Sequence, residues 1–130
     1  MQKQQAGKIV VISSLASIVS MPSSIAYSSS KRALNSYTEG LRNLLSKDNI
    51  TVINIQPGFI ESEMTAKNSF KMPFFMSNEK GVNRIIYAID KNKKEYKFPK
   101  RFYIFIKLIS ILPLFLKDKI ITKLSPKKST

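Results

Sequence analysis

Four consecutive β-branched aliphatics, Ile9-Val10-Val11-Ile12, constrain the fold of this chain more than any other feature. A run without polar alternation implies burial on both faces, as for a strand inside a parallel sheet. The strand is expected over Lys8 to Ser13. Ser13 to Ser24 is small and polar, contains Pro22, and reads as a loop. From about Ser24 a helix is expected, with Ala33, Leu34, Tyr37, Leu41, Leu44 and Leu45 forming one buried stripe. Lys47-Asp48-Asn49 ends it. Ile50 to Gln56 alternates as a second strand that Pro57-Gly58 stops. Strand, loop, long helix, strand is the order of a parallel pair with a right-handed crossover.

The rest of the chain is less regular. Phe59 to Met76 has no clear period, is rich in Met and Phe, and reads as a mobile apolar loop. Ser77 can cap a helix from Asn78 or Glu79 whose inner face is Val82, Ile85, Ile86 and Ile89. Lys91 to Lys94 closes that helix, and Tyr96 to Pro99 suits a third short strand. Arg101 to Leu112 and Leu114 to Leu124 read as two helices split by Pro113. The expected architecture is therefore α/β: a partial, Rossmann-like doubly wound parallel sheet of about three strands with C-terminal helices. We expect residues 1–100 to form the sheet unit, 101–125 an apolar and basic helical extension, and 126–130 a disordered tail.

Composition removes several kinds of chemistry. The chain has no Cys, which excludes disulfides and thiolate metal sites, and no His, so no metal centre is expected. A cytoplasmic setting fits. The formal charge is +14, and it is uneven. Residues 1–90 carry 10 basic and 6 acidic side chains, whereas residues 91–130 carry 12 and 2. Such a charge raises nucleic acid or an anionic membrane surface as partners. Nucleic acid is disfavoured, because no recognisable reader motif interleaves with the cations. The N-terminal Met-Gln-Lys-Gln-Gln-Ala-Gly lacks the apolar core of a signal peptide. The most apolar stretch, Phe102 to Leu116, carries Lys107 and Pro113 and is shorter than the ~20 residues of a spanning helix. It suits packing over a pocket, a subunit interface, or peripheral contact with a membrane through Lys100, Arg101, Lys107, Lys117, Lys119 and Lys123.

Little else in the chain offers chemistry beyond Tyr27, Lys31 and Ser14. Residues four apart on a helix share a face, so Tyr27 and Lys31 project together. A nearby ammonium stabilises a phenolate, which suits a tyrosine to proton exchange with a carbonyl or alcohol oxygen. Ser14, leaving the end of the first strand, can hydrogen-bond the same oxygen. Strand ends of this kind are where open α/β sheets place ligands. Alone, Tyr-x-x-x-Lys is common, and its tyrosine most often only packs. The order of strand, Ser-Ser, gap, motif-bearing helix and a second strand ending in Pro-Gly is far more specific.

That order resembles the short-chain dehydrogenase/reductase family. The resemblance rests on Gly7-Lys-Ile-Val-Val-Ile-Ser-Ser14, Tyr27-Ser-Ser-Ser-Lys31-Arg-Ala, and Asn54-Ile-Gln-Pro57-Gly58-Phe-Ile60-Glu-Ser62-Glu-Met-Thr65. It covers residues 7–65 tightly and 78–100 loosely. It implies hydride transfer between NAD or NADP and a small carbonyl or alcohol, lipophilic if the apolar C-terminal helices pack over its pocket. Tyr27 would be the acid/base, Lys31 would tune it and hold the nicotinamide ribose, and Ser14 would polarise the carbonyl. Pro57 and Gly58 would line the nicotinamide pocket, and Ile60 and Ser62 would contact the carboxamide and a nearby phosphate. Ser62 stands where the family more often has threonine.

The family's Gly-rich turn for the diphosphate has no counterpart here. The only glycines are Gly7, Gly40, Gly58 and Gly81, and none are spaced for it. The family's catalytic asparagine and its Asn-Ala-Gly segment are missing too. The resemblance thus implies the C-terminal half of such an enzyme, with weak or absent cofactor binding alone. An open strand edge would favour self-association or pairing with the missing N-terminal half. The alternative is a non-catalytic remnant serving as an interaction or membrane-surface module.

Overall fold

A computed structural model describes residues 1–125. The order is β1 (Gly7–Ile12), α1 (Ile25–Leu44), β2 (Ile50–Pro57), α2 (Glu63–Ala66), α3 (Asn78–Asp90), β3 (Glu95–Phe98), α4 (Lys100–Ser110) and α5 (Leu114–Leu124). Short 3-10 turns precede β1 and occupy Leu15–Ser17 and Pro22–Ser24. The three strands form one parallel sheet in the order β1-β2-β3. Gly7 lies opposite Ile50 and Ile12 opposite Ile55, while Asn54 to Pro57 pair with Glu95 to Phe98. This is the α/β class and strand number that the sequence implies. The expected tail, 126–130, lies outside the described residues.

β2 is the centre of the molecule, and its alternation decides what covers each face. Ile53 and Ile55 point to one side and are fully buried with Ala88 of α3 and Phe98 of β3; Ile85, Ile89 and Val10 pack around them. Ile50 and Val52 point to the other side and meet Leu41 and Leu45 near the end of α1. Further along that side come Asn54 and Gln56, both buried and polar. Helices α1 and α3 therefore cover opposite faces of β2. A third cluster sits at the C-terminal ends of the strands, where Phe102 and Ile106 of α4 close over Leu15, with Phe59 and Ile18 alongside.

Several sequence expectations are corrected by this arrangement. β1 is not buried on both faces: Ile9, Val10 and Val11 are half-buried and Ile12 is 42% exposed. Among the described residues β1 has one strand neighbour, so its outer edge is open. On α1 the inner stripe includes Ser28, Thr38 and Leu45, with Asn35 half-buried, whereas Tyr37 and Leu44 are 70% and 73% exposed. Asn35 on this stripe meets Asn54 and Gln56 of β2 through its side-chain amide, a place that suits a polar side chain.

On α3, Gly81 and Ala88 are buried with Ile85 and Ile89 beside them, while Val82 and Ile86 face outward. Close approach explains this. A Cβ on Gly81 would fall 2.7 Å from an Ile60 methyl carbon, so only small residues fit at that contact. The segment 59–76, expected to lack regular structure, contains α2, closed at its start by a reciprocal cap. The Ser62 hydroxyl accepts from the Thr65 amide, and the Thr65 hydroxyl accepts from the Ser62 amide. An isolated parallel bridge joins Ile60 to Met76. Phe59 and Phe74 both stack on Phe102, with ring centroids 5.8 and 5.7 Å away.

Candidate active site

Parallel strands end on one side of a sheet, so the segments after β1, β2 and β3 share one rim. Ser13 and Ser14 leave β1 there, and Pro57 ends β2 beside them, with the Ser13 amide donating to the Ile55 carbonyl at 2.7 Å. Pro57 pairs with Phe98, and the Gly58 amide donates to the Phe98 carbonyl at 2.8 Å. Tyr27 stands in the first turn of α1 and Lys31 one turn later.

Two bonds fix the Lys31 turn of α1 to the end of β1. The Lys31 ammonium donates to the Ile12 carbonyl at 3.0 Å, and the Ser13 hydroxyl donates to the Lys31 carbonyl at 3.2 Å. The ammonium also lies 5.7 Å from the Tyr27 ring centroid, over the ring. An ammonium has three donors, so two remain for a ligand. Ser14 is buried at the start of the Leu15–Ser17 turn, and its oxygen accepts from the Ala16 amide at 3.1 Å. That bond uses acceptor capacity only; the Ser14 proton is left free to donate. Tyr27 is 38% exposed.

Pro57 is buried, and Gly58 is pressed by the chain itself. A Cβ on Gly58 would lie 2.9 Å from the Phe102 ring and 3.2 Å from Pro99, so this glycine admits the start of α4. Ile60 packs beneath the α3 glycine and bridges to Met76. The Ser62 hydroxyl and amide are both engaged in the cap of α2. The residues present fit the nicotinamide-ribose end of a dinucleotide: an ammonium over a tyrosine ring with donors to spare, a serine at the strand end, and a Pro-Gly strand terminus. They do not fit its diphosphate end, for which the chain has no glycine turn.

A second tier of residues escaped sequence reasoning. Asn35, one turn beyond Lys31, donates to the Ser17 hydroxyl at 2.7 Å and accepts from the Asn54 side-chain amide at 3.0 Å. Arg32 donates to the Ser17 and Ile18 carbonyls at 2.9 and 3.1 Å. The Ser17 hydroxyl in turn donates to the Ser14 carbonyl at 2.7 Å. The turn carrying Ser14 is thus bonded directly to the helix carrying Tyr27. The i to i+4 step from Lys31 to Asn35 was the available signal, since it puts both on one face. Two concavities, about 330 and 400 Å³, open elsewhere. The first is bordered by Arg32, Asn35, Gln56, Glu95 and Lys97, and the second by Tyr96, Lys100, Tyr103 and Ile104; neither is lined by Ser14, Tyr27 or Lys31.

Comparison with known proteins bears on the same residues. Residues 1–72 match the family profile described as short chain dehydrogenase. An uncharacterized oxidoreductase of Myxococcus xanthus is 34% identical over 113 residues, which is 87% of this chain and 45% of that protein. An uncharacterized oxidoreductase of Mycobacterium tuberculosis is 37% identical over 86 residues, 65% of this chain and 34% of its own length. Among solved structures, a short chain dehydrogenase from Burkholderia cenocepacia in complex with NADP superposes with a TM-score of 0.70 at 27% identity. That match covers 82% of this chain and 44% of that one. The chain spans less than half the length of the relatives it matches.

Proposed function

The chain belongs to the short chain dehydrogenase family, and on that footing we propose that it supplies the proton-transfer half of an NAD- or NADP-dependent oxidoreductase acting on a carbonyl/alcohol pair. The observation that supports this most is the tie between Lys31, the end of β1 and the Tyr27 ring, with Ser14 leaving that same strand end. In the reducing direction the Tyr27 hydroxyl gives its proton to the carbonyl oxygen, and in the oxidising direction the phenolate takes it back. Ser14 donates a hydrogen bond to that oxygen and holds it beside the phenol. Lys31 offsets negative charge at Tyr27 and keeps two N–H groups for ribose hydroxyls. Pro57 and Gly58 would line the nicotinamide pocket, and Ile60 and Ser62 would contact the carboxamide and a nearby phosphate. The nicotinamide supplies or accepts the hydride when bound.

The aromatic cluster of Phe59, Phe70, Phe74 and Phe102 supports a lipophilic substrate at the rim. A cytoplasmic location with peripheral membrane contact suits such a substrate. These 130 residues contain no glycine turn for the diphosphate, so this chain alone is expected to bind NAD or NADP weakly or not at all. The open edge of β1 supports pairing with a family N-terminal half or self-association. The second reading, an interaction or membrane-surface module without catalysis, draws on the exposed apolar face of α4 and α5.

The test joins this chain to the N-terminal half of a family member and follows NAD(P)H oxidation with a panel of carbonyl compounds. Tyr27→Phe should lower the rate by about 10²–10⁴-fold. A joined protein with no turnover, or with turnover indifferent to Tyr27→Phe, would remove the assignment.

A further inference from the structure

α4 is apolar on two sides, and the fold uses only one of them. Phe102, Ile106 and Ile109, spaced i, i+4, i+7, are buried over the strand ends. Ile104, Leu108 and Ile111, also spaced i, i+4, i+7, point away from the molecule. Leu114 and Phe115 at the start of α5 are exposed as well, and Ile111 and Phe115 are 66% and 72% exposed. α5 has no buried residue. From Ile104 to Ile111 the strip is about 10 Å long. A row of large exposed apolar side chains on one helix face, rather than scattered single ones, marks an interaction site.

Charge identifies its occupant. Between Lys100 and Ser125 there are six cations and one acid, Asp118. Lys100 and Arg101 stand in the first turn of α4, where the helix dipole disfavours positive charge, and no acid stands with them. Helix stability therefore does not account for their place. On a helical projection Lys100 and Lys107 fall to one side of the Ile104–Leu108–Ile111 strip and Arg101 to the other. Among the described residues, none of the three takes part in an ion pair; both recorded pairs belong to Glu95. An apolar strip edged by free cations is the pattern of a helix lying in a membrane interface. No helix of the described residues is long and apolar enough to cross a membrane.

We propose that the outward face of α4 and the start of α5 docks this chain on an anionic lipid surface. Ile104, Leu108, Ile111 and Phe115 enter the acyl boundary, while Lys100, Arg101 and Lys107 meet headgroup phosphates. Because Phe102 on the inner face of α4 touches Gly58, docking sets the strand-end rim a helix diameter from the lipid. The proposal uses no catalytic assignment and stands or falls apart from the oxidoreductase reading.

Sedimentation of the 130-residue chain with vesicles tests it, using phosphatidylcholine alone and phosphatidylcholine mixed with phosphatidylglycerol. The chain should pellet with the mixed vesicles, and less so as salt is raised. Each interfacial cation contributes about 1 kcal/mol, so Lys100→Gln together with Arg101→Gln should weaken partitioning by roughly 30-fold. Ile104→Ser with Leu108→Ser should abolish pelleting while circular dichroism stays as in the parent chain. Equal pelleting with neutral and mixed vesicles overturns the proposal, as does a serine variant that pellets like the parent. It also falls if the serine variant changes only the size-exclusion elution volume, because the strip is then a contact between copies of the chain.

Discussion

β2 and the α4–α5 segment are both rich in Ile, Leu, Val and Phe, yet the chain treats them in opposite ways. Ile53 and Ile55 have helices on both faces of their strand and are 0% exposed. Ile104 and Leu108 sit on a helix with one covered face and stand more than half exposed. Residue type cannot explain the contrast, because the side chains are the same. What differs is the number of neighbours each element brings to its surroundings. A central strand is hydrogen-bonded on both edges and packed on both faces, whereas a terminal helix meets the body once. The apolar side that the body does not need is left for something else.

The contrast breaks most visibly at Phe98. This ring is fully buried among Ile53, Ile55 and Ala88. Phe98→Ala should lower the unfolding free energy by about 3–5 kcal/mol, read from the midpoint in urea. Phe115→Ala, which removes the same side chain from the exposed segment, should leave the midpoint within about 0.5 kcal/mol. Comparable losses at the two positions would mean that α5 is packed in solution and that the contrast is false.

The polar side of β2 sharpens the picture. Asn54 donates to Asn35, and its side-chain oxygen Oδ1 has no hydrogen-bond partner despite burial. Asn35→Leu leaves the Asn54 amide without its partner, while the Ser17 hydroxyl keeps its bond to the Ser14 carbonyl, and should cost about 1–3 kcal/mol. Asn54→Leu leaves the Asn35 oxygen unsatisfied and should cost a similar amount. The double variant should cost less than the two losses added, since no buried polar group is then stranded between those positions. Strict additivity would show that the two asparagines do not act as a unit.

These asparagines also mark where sequence reasoning stopped. Strand and helix extents were legible because apolar runs, Pro57-Gly58, Ser77 and Pro113 are local signals. The Tyr27–Lys31 pair was legible because four residues make one helical turn. The inner face of α1 was not, since periodicity alone favoured Tyr37 and Leu44 over Asn35 and Thr38. Asn35 turns inward to meet Asn54 and Gln56, 19 or more positions away, and no single-helix pattern contains that information. The α3 face failed for a related reason: Gly81 faces inward because Ile60 is there. The cap of α2 was within reach, as Ser62-Glu-Met-Thr65 places a hydroxyl at each end of one turn.

The smallest expected effect separates the two regions by charge. Near the sheet, Glu95 is held by Lys97 and by Arg42, the latter at 3.6 Å. The hydrogen bond from Lys97 is the main cause that places its carboxyl below the usual range, against a partial burial that opposes it. A lowered folded value means that this stabilisation is present above the ordinary glutamate range and is lost as pH falls through the lowered value. The pair is partly exposed, so its contribution should be at most about 1 kcal/mol. Glu95→Gln should therefore shift the urea midpoint slightly at neutral pH and converge with the parent chain in acid. Lys107→Gln, on the lipid-facing segment, should show no such convergence, because no acid is paired with it among the described residues. A midpoint difference for Glu95→Gln that persists unchanged in acid would assign its effect to packing, leaving the sheet's surface charges no better matched than those of α4.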